Sequence, residues 1–178
     1  ATLLLPSIGF GKSLLDYCEN PDDEAIKVTI TQMMVNEDVD DCGDLVEAYE
    51  DSGVVDLKNS RVTDIRPLED MTYLYFVELK GNPVVDLSPL ANLEDLEYLS
   101  LGALGENVDT DLSKISHLSK ITTFYLSESH GTDLEPIKKW QNIDFLKFHR
   151  IPLKDLKIAQ SFPKLTAIEI AFMDTEDI

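Results

Sequence analysis

The chain repeats itself with a nearly constant period, and this period limits the possible folds more than any other feature of the sequence. An aspartate marks the same place in each unit, at Asp64, Asp86, Asp111, Asp133, Asp155 and Asp177. An apolar residue follows every one of them, and further apolar residues recur at intervals of three, as at Leu93, Leu96 and Leu99. A period of this length is typical of a solenoid, in which each unit forms one coil.

The clearest unit begins at Val77 and reads V-x-L-x-x-N-x-V-x-D-L-x-P-L. This pattern resembles the leucine-rich repeat family in its short bacterial form, the internalin-like class with 22-residue repeats, over about residues 54–178. The resemblance implies a right-handed solenoid with a parallel β-sheet on its concave face. It also implies that Asn82 bonds the backbone of a neighbouring coil. The equivalent positions are Ser60, Asn82, Asn107, Ser129, Ile151 and Met173.

We predict one short strand in each coil, because apolar residues flank a central residue that would point outward. The predicted strand cores are 55–57, 77–79, 99–101, 124–126, 146–148 and 168–170. About a dozen residues remain for each return path, too few for a full α-helix with its two turns, so we expect 3₁₀ turns or extended segments there. The third unit is three residues longer, which predicts a bulged loop within Gly102–Glu106.

The segment before the first repeat predicts a helical cap, which a solenoid needs to cover its first coil. One helix is predicted to start at Asn20–Glu24, with Asn20 as its cap and Pro21 in its first turn, and a second to span Asp40–Asp51 and end at Gly53. Residues 1–15 are interpreted as an arm that packs on the cap. The predicted fold class is α/β, a leucine-rich-repeat solenoid with a cap over residues 1–53. The repeats occupy residues 54–178, five full units and the start of a sixth, together with the cap as one structural domain.

Both cysteines of the chain, Cys18 and Cys42, lie in the cap. We interpret them as a disulfide, because a metal site would need further ligands and no histidine precedes His117. The bridge would close a loop of about 25 residues and would indicate an oxidising compartment. A first residue of Ala1 rather than Met agrees with export after removal of a signal sequence. Two reduced cysteines in a cytosolic cap are the alternative.

The chain is strongly acidic, with a net charge of −19. This charge argues against a nucleic acid or an anionic membrane as the partner. Residues 1–53 hold thirteen acids and two lysines, a net of −11, whereas residues 138–164 hold seven Lys or Arg and two Asp, a net of +5. No apolar run approaches the roughly 18 residues needed to span a bilayer, so we expect no membrane insertion.

The aspartate column could bind calcium, or it could accept backbone N–H bonds at the start of each short turn. We favour the second interpretation, because aspartates on successive coils are separated by the coil spacing rather than gathered around one ion. No metal site and no cofactor are therefore predicted. The histidines are His117, His130 and His149, and no nucleophile motif or phosphate-binding loop accompanies them. The chain is accordingly predicted not to be an enzyme.

The outward positions of the strands carry the candidate binding site. Four aromatic residues are predicted to form an exposed band across the sheet, beside a basic group, and such aromatic residues are typical of protein interfaces. The predicted protein-binding residues are Phe76, Glu78, Lys80, Tyr98, Tyr125, Phe145, Lys147, His149 and Arg150, with Lys154 and Lys157 further along the coil. The alternatives are that loops or neighbouring side chains cover the rings and that the charges form a solvated face.

These features predict a non-catalytic module of an exported bacterial protein, periplasmic, secreted or on the cell surface, that binds a protein partner on its concave sheet. "Bacterial" and "exported" come from the resemblance. One alternative is an acidic inhibitor or immunity-type protein of an enzyme. Another is an intracellular, cytoplasmic regulator of a phosphatase or similar enzyme. A third is self-association through an open C-terminal coil, because the sequence reaches Ile178 partway through a unit.

Overall fold

The computed structural model describes residues 12–103, 109–129, 131–153 and 155–171 of the chain. Three helices come first: α1 Leu14–Glu19, α2 Glu24–Glu37 and α3 Cys42–Ser52. Six strands follow: β1 Val54–Asp56, β2 Phe76–Glu78, β3 Tyr98–Leu101, β4 Thr123–Ser127, β5 Phe145–His149 and β6 Ala167–Ala171. They form one parallel sheet in chain order, and each begins one residue before its predicted core. The predicted solenoid is confirmed.

Short 3₁₀ turns lie on the return paths, as predicted: Arg66–Leu68, Ser88–Leu90, Leu112–Ile115, Glu135–Lys139 and Lys157–Ser161. The aspartate column starts these turns. Asp86 Oδ1 accepts the backbone N–H of Ser88 at 2.9 Å, and the same i to i+2 bond recurs at Asp64, Asp111, Asp133 and Asp155. This bond to the carboxylate holds the pKa of Asp86 below its usual value. The predicted structural role of the column is confirmed.

Asn82 joins two coils through four hydrogen bonds. Its Oδ1 accepts the backbone N–H groups of Ser60 and Val62 at 3.0 and 2.9 Å, and its Nδ2 donates to the carbonyls of Leu57 and Leu79 at 2.6 and 2.9 Å. The side chain is buried, so these bonds satisfy polar groups that water does not reach. The inter-coil role implied by the resemblance is confirmed at this position, while Asn107 and Met173 lie outside the described residues.

The first two helices of the cap, α1 and α2, differ from the prediction. Leu14 and Leu15, which the sequence analysis placed in the arm, begin helix α1, because Ser13 and Asp16 make a reciprocal capping box. Residues 1–11 of the predicted arm lie outside the described residues. The predicted start of α2 is wrong. Asn20 follows the end of α1, and Asp23 caps α2 by accepting the Ile26 N–H at 3.0 Å.

The third cap helix agrees more closely with its prediction. It starts at Cys42 behind the N-cap Asp41 and ends at Gly53, whose φ of 62° is the left-handed conformation expected of such a glycine. A Cys18–Cys42 disulfide with a Cα–Cα distance of 5.8 Å joins α1 to α3, so the predicted pairing is present.

Arg66 fastens the cap to the first coil. It lies in the first 3₁₀ turn, and its guanidinium pairs with Asp64 at 2.7 Å, Asp23 at 2.8 Å and Asp22 at 3.4 Å. Nearby, the Tyr17 hydroxyl donates to Glu69 Oε1 at 2.7 Å. The cap therefore meets the repeats through polar contacts as well as through a continuous hydrophobic core that extends from Leu14 to Phe162.

The longer third unit leaves the sheet intact. Tyr98 pairs with Thr123 in the same register as the other strands, although the chain between them is longer than in the other units. The extra residues therefore lie off the strands. Gly102 follows β3 at a φ of 117°, and a Cβ there would lie 1.9 Å from the carbonyl oxygen of Ser127. The predicted bulged loop falls largely on residues 104–108, which lie outside the described part of the chain.

Candidate functional site

The concave face is a grid of three columns of side chains, because alternate residues of a strand point to the same side. Strand pairing keeps equivalent residues side by side on successive coils. The first column is Val54, Phe76, Tyr98, Thr123, Phe145 and Ala167. The second column is Asp56, Glu78, Ser100, Tyr125, Lys147 and Glu169. The third column, at the carboxyl ends of the strands, is Lys58, Lys80, Gly102, Ser127, His149 and Ala171.

Four of these residues, Phe76, Tyr98, Tyr125 and Phe145, form a continuous row of touching rings, here called the aromatic ladder. The Phe76 and Tyr98 rings stack with centroids 4.0 Å apart and planes 8° apart. The Tyr98 and Tyr125 centroids are 5.3 Å apart in an edge-to-face arrangement, and those of Tyr125 and Phe145 are 5.6 Å apart. Tyr125 belongs to the second column and spans the gap left by the small Thr123. These distances are those of favourable aromatic pairs.

The rings of the aromatic ladder are half-buried, whereas the sequence predicts an exposed band. Each ring covers part of its neighbour, so the face presents edges and partial faces rather than four separate rings. Tyr75 extends the aromatic surface at the rim. It was not predicted as a site residue, yet it is 46% exposed directly before Phe76, and it lies against Gly53, where a Cβ would approach its ring to 2.9 Å.

The prediction that the second column points into solvent is wrong for two members. Glu78 is 8% exposed and Ser100 is fully buried. The Tyr98 hydroxyl donates to Glu78 Oε2 at 2.9 Å, and the Lys80 backbone N–H donates to Glu78 Oε1 at 2.9 Å. Burial and then the bond to Glu78 raise the pKa of Tyr98 well above its usual value. Glu78 therefore positions Tyr98 instead of presenting a free carboxylate.

The predicted basic group is largely engaged in pairs within the chain. Lys147 Nζ lies 2.6 Å from Glu169 Oε2 and 5.7 Å from the centre of the Tyr125 ring, and the bond to Glu169 raises the pKa of Lys147. Arg150 Nη1 pairs with the buried Glu128 at 3.1 Å, a partner that no sequence pattern indicated. Lys147 thus lies on the face beside the aromatic ladder, whereas Arg150 is held beyond the end of β5.

The remaining predicted basic residues lie apart from one another. His149 is half-buried, and its pKa is lowered chiefly by burial and then by the charges of Lys80 and Arg150. Lys157 lies in the last 3₁₀ turn and pairs with Asp155 at 2.9 Å, away from the sheet. Lys154 and His130 lie outside the described residues.

Two other kinds of site are absent from the described residues. Within them, no three His, Cys, Asp or Glu side chains come close enough together to hold a metal ion. None of the described helices has the length and hydrophobicity needed to cross a lipid bilayer. The aromatic ladder with Lys147 and Lys80 is therefore the feature of the described structure that best fits recognition of another molecule.

Comparison with known proteins finds the same architecture in internalins. No protein-family model matches the chain, and no curated protein matches it. Internalin C2 of Listeria monocytogenes is similar at a TM-score of 0.59 and 26% sequence identity, over 71% of this chain and 56% of that one. The internalin inlF of the same organism is similar at a TM-score of 0.62 and 19% identity, over 89% of this chain and 52% of that one. The chain thus spans about half the length of these two solved structures.

Proposed function

Since the chain folds as an internalin-like leucine-rich-repeat solenoid, we propose that it is a non-catalytic protein-binding module that recognises a protein partner on its concave sheet. The aromatic ladder carries this proposal. Four large rings remain half-exposed on one face, although burial of their remaining apolar surface would be favourable at roughly 25 cal/mol per Å². Aromatic residues of this kind supply most of the binding energy at many protein interfaces.

The arrangement of the rings, and not only their presence, supports a role in binding. Contacts between neighbours, and the hydrogen bond from Tyr98 to Glu78, restrict the rings before a partner arrives. A surface that is already ordered loses less conformational entropy on association, so more of the contact energy appears as affinity. The ladder crosses three coil spacings, or about 14 Å at roughly 4.8 Å per strand. This length suits one secondary-structure element of a partner protein.

We further propose that the protein is exported, to the periplasm, the cell surface or the medium of a bacterium. The Cys18–Cys42 disulfide supports this location, because such bonds persist in oxidising compartments and are rare in the cytosol. An intracellular phosphatase-type regulator would be expected to keep these thiols reduced. The disulfide therefore favours the exported module over the cytoplasmic alternative.

An acidic inhibitor of an enzyme receives less support from the concave face. The described columns hold three acids, Asp56, Glu78 and Glu169, and three lysines, Lys58, Lys80 and Lys147. Their charges sum to zero, whereas the whole chain has a net charge of −19. A basic enzyme would therefore be attracted to the cap and the return paths rather than to the ladder.

The proposal is tested by removing the ladder and by locating the partner. A photo-reactive phenylalanine analogue in place of Tyr125 should crosslink a protein from a mixture of exported and cell-surface proteins. The variant Phe76→Ser/Tyr98→Ser/Phe145→Ser should then abolish binding of that protein while circular dichroism stays native. The control variant Val35→Ser/Val85→Ser/Leu156→Ser removes side chains that are 66, 60 and 53% exposed off the ladder, and it should bind normally. Unchanged affinity of the ladder variant would reject the concave face as the binding site.

A further inference from the structure

Two lysines lie side by side at the carboxyl ends of the first two strands. Asp56 pairs in register with Glu78, and the Asn59 N–H donates to the Lys80 carbonyl at 2.9 Å, so Lys58 lies directly beside Lys80. Adjacent strands are about 4.8 Å apart, and like charges placed opposite each other repel. Lys58 is exposed and Lys80 is half-buried. The pair concentrates positive charge on one edge of the concave face.

No acid of the described part of the chain neutralises this pair, although the sequence has 34 acids and 15 bases. Lys147 and Arg150 pair with Glu169 and Glu128, but Lys58 and Lys80 form no ion pair among residues 12–103, 109–129, 131–153 and 155–171. Two lysines on neighbouring coils that form no ion pair within the described part of the chain differ from Lys147 and Arg150, which are paired.

The carboxylates of the second column on the same two coils bond the backbone. Asp56 Oδ1 accepts the Lys58 N–H at 3.0 Å, and Glu78 Oε1 accepts the Lys80 N–H at 2.9 Å. Glu78 also holds the Tyr98 hydroxyl and is 8% exposed. These bonds keep both carboxylates in the second column, so the ammonium groups extend from the third column toward whatever covers the face.

The lysine pair and the aromatic ladder belong to one continuous surface. Phe76 and Lys80 are four residues apart on the same side of one chain segment, a separation of about 13 Å. Beyond Lys80 the third column continues with Gly102 and Ser127, which have no long side chain, before His149. Burial lowers the pKa of His149 most, and the charge of Lys80 adds to this effect.

We propose that the partner of this face is an acidic segment of a protein, which places apolar side chains on the aromatic ladder and one or two carboxylates on Lys58 and Lys80. This inference rests on the proposed function and specifies the chemistry of the partner. At the strand spacing, one carboxylate can bridge both ammonium groups, or two can each take one. Either arrangement replaces a like-charge contact by two opposite-charge contacts.

The overall acidity of the chain makes this site selective. The cap carries much of the negative charge, and at physiological ionic strength its field is screened over about 8 Å. An acidic segment is therefore repelled over most of the surface and accepted at the lysine edge. A partner with acids elsewhere on its docking surface would bind poorly.

Selection from a phage-displayed library of random peptides tests the inference on the disulfide-intact protein. The wild type should select peptides that combine Asp or Glu with aromatic or aliphatic residues. The variant Lys58→Glu/Lys80→Glu should select peptides that carry Lys or Arg instead. The control Lys114→Glu/Lys157→Glu makes the same charge change in the 3₁₀ turns, and it should select the wild-type class. The best wild-type peptide should bind Lys58→Gln/Lys80→Gln about tenfold more weakly and with less dependence on salt.

The outcomes separate this inference from the proposed function. Peptides that require Phe76 and Tyr98 but lack acidic enrichment, and that bind Lys58→Gln/Lys80→Gln normally, would overturn the acidic partner and leave the concave binding face in place. Peptides whose binding is unchanged in both the ladder variant and the lysine variant would overturn both.

Discussion

At the scale of single residues, hydrogen bonds from polar side chains to the backbone determine how the coils turn. Asp86 and its equivalents bond the backbone two residues ahead, and Asn82 bonds four backbone groups of two coils. The sequence indicated the aspartate column because the same bond recurs at the same place in successive coils, and the resemblance implied the role of Asn82. The repeated aspartates thus reflect a hydrogen bond that each turn requires, and not the binding of a shared ion.

Asp86→Ala should lower the free energy of unfolding by about 1 kcal/mol, the usual value for loss of such a capping bond. Urea denaturation measures the change, and Glu94→Ala, an exposed position, serves as the control. The Ser88 N–H lowers the pKa of Asp86 in the folded state, so the contribution is complete above the unfolded value of about 3.9. It is lost as the pH falls through the lower folded pKa, and the difference between wild type and variant should shrink in that range.

A calcium-dependent melting temperature of the wild-type protein would contradict this assignment of the aspartate column. The expected result is the same melting temperature with calcium and with a chelator, because each described aspartate of the column already spends one oxygen on its turn.

The burial of individual side chains on the concave face was less predictable than the identity of the residues that form its columns. Alternation along a strand predicts which residues point to the concave side, but it does not give the depth of cover. Glu78 is buried in part because the neighbouring coil supplies the large Tyr98 side chain, and Lys147 is engaged because Glu169 lies beside it. These outcomes depend on pairs of residues one coil apart, whose conformations a residue type alone does not specify.

At the scale of elements, the cap is held by one covalent bond and one cluster of charges. The cap helices α1 and α3 are joined by the disulfide, while Arg66 links the α1–α2 connection to the first coil. The sequence predicted the longer helices because their apolar periodicity is visible. It missed α1, whose six residues are too few to show a period and depend on the capping box and the disulfide.

Removal of the disulfide should destabilise the protein by about 3 kcal/mol, the chain-entropy value for a loop of this size. Cys18→Ser/Cys42→Ser compared with wild type in urea measures the loss. Intact mass of protein from its native compartment, after alkylation of free thiols, checks the bond directly. Two alkylated cysteines would contradict the bridge and the proposed export.

Arg66→Gln should weaken the attachment of the cap by about 1 kcal/mol, because three carboxylates would lose their shared cation. The loss should be larger at low salt, where repulsion among Asp22, Asp23 and Asp64 is less screened. Thermal unfolding at two ionic strengths measures this dependence. Arg61→Gln, at an exposed arginine outside the cluster, is the matched control. An equal effect there would contradict the role of Arg66 in attaching the cap.

At the scale of the whole molecule, the core runs without interruption from the cap to the last described coil. Each coil contacts its neighbours, so cooperativity depends on the interfaces between coils. Leu99 is fully buried in the middle of the stack. Leu99→Ala should therefore cost about 3 kcal/mol.

This destabilisation should appear equally at both ends of the molecule. Fluorescence of Trp140, the sole tryptophan, reports the fourth coil, and far-UV circular dichroism reports largely the cap helices. The two transitions should coincide in wild type and shift together in the variant. Separate midpoints would show that the cap and the repeats are two domains, contrary to the single structural domain expected from the sequence.

The fold was the most predictable property of the whole molecule, and the identity of the partner was the least. A nearly constant period specifies sheet, return path and face, because one geometric solution is reused in every coil. The proposed function depends on residues such as Phe76, Tyr98 and the lysine pair, which occupy positions of the repeat where the residue type varies from coil to coil. The sequence predicted the aromatic band beside a basic group, whereas the ring contacts and the ion pairs on the face came from the structure.

The preserved pairing of Tyr98 with Thr123 across a longer unit has a consequence for how such a surface is measured. Distance along the face is counted in coils and not in residues, with roughly 4.8 Å for each coil. Extra residues between two strands do not change this distance, whereas deletion of one whole coil would shorten it by one strand spacing. The spacing of the rings therefore does not change when the chain between two strands becomes longer.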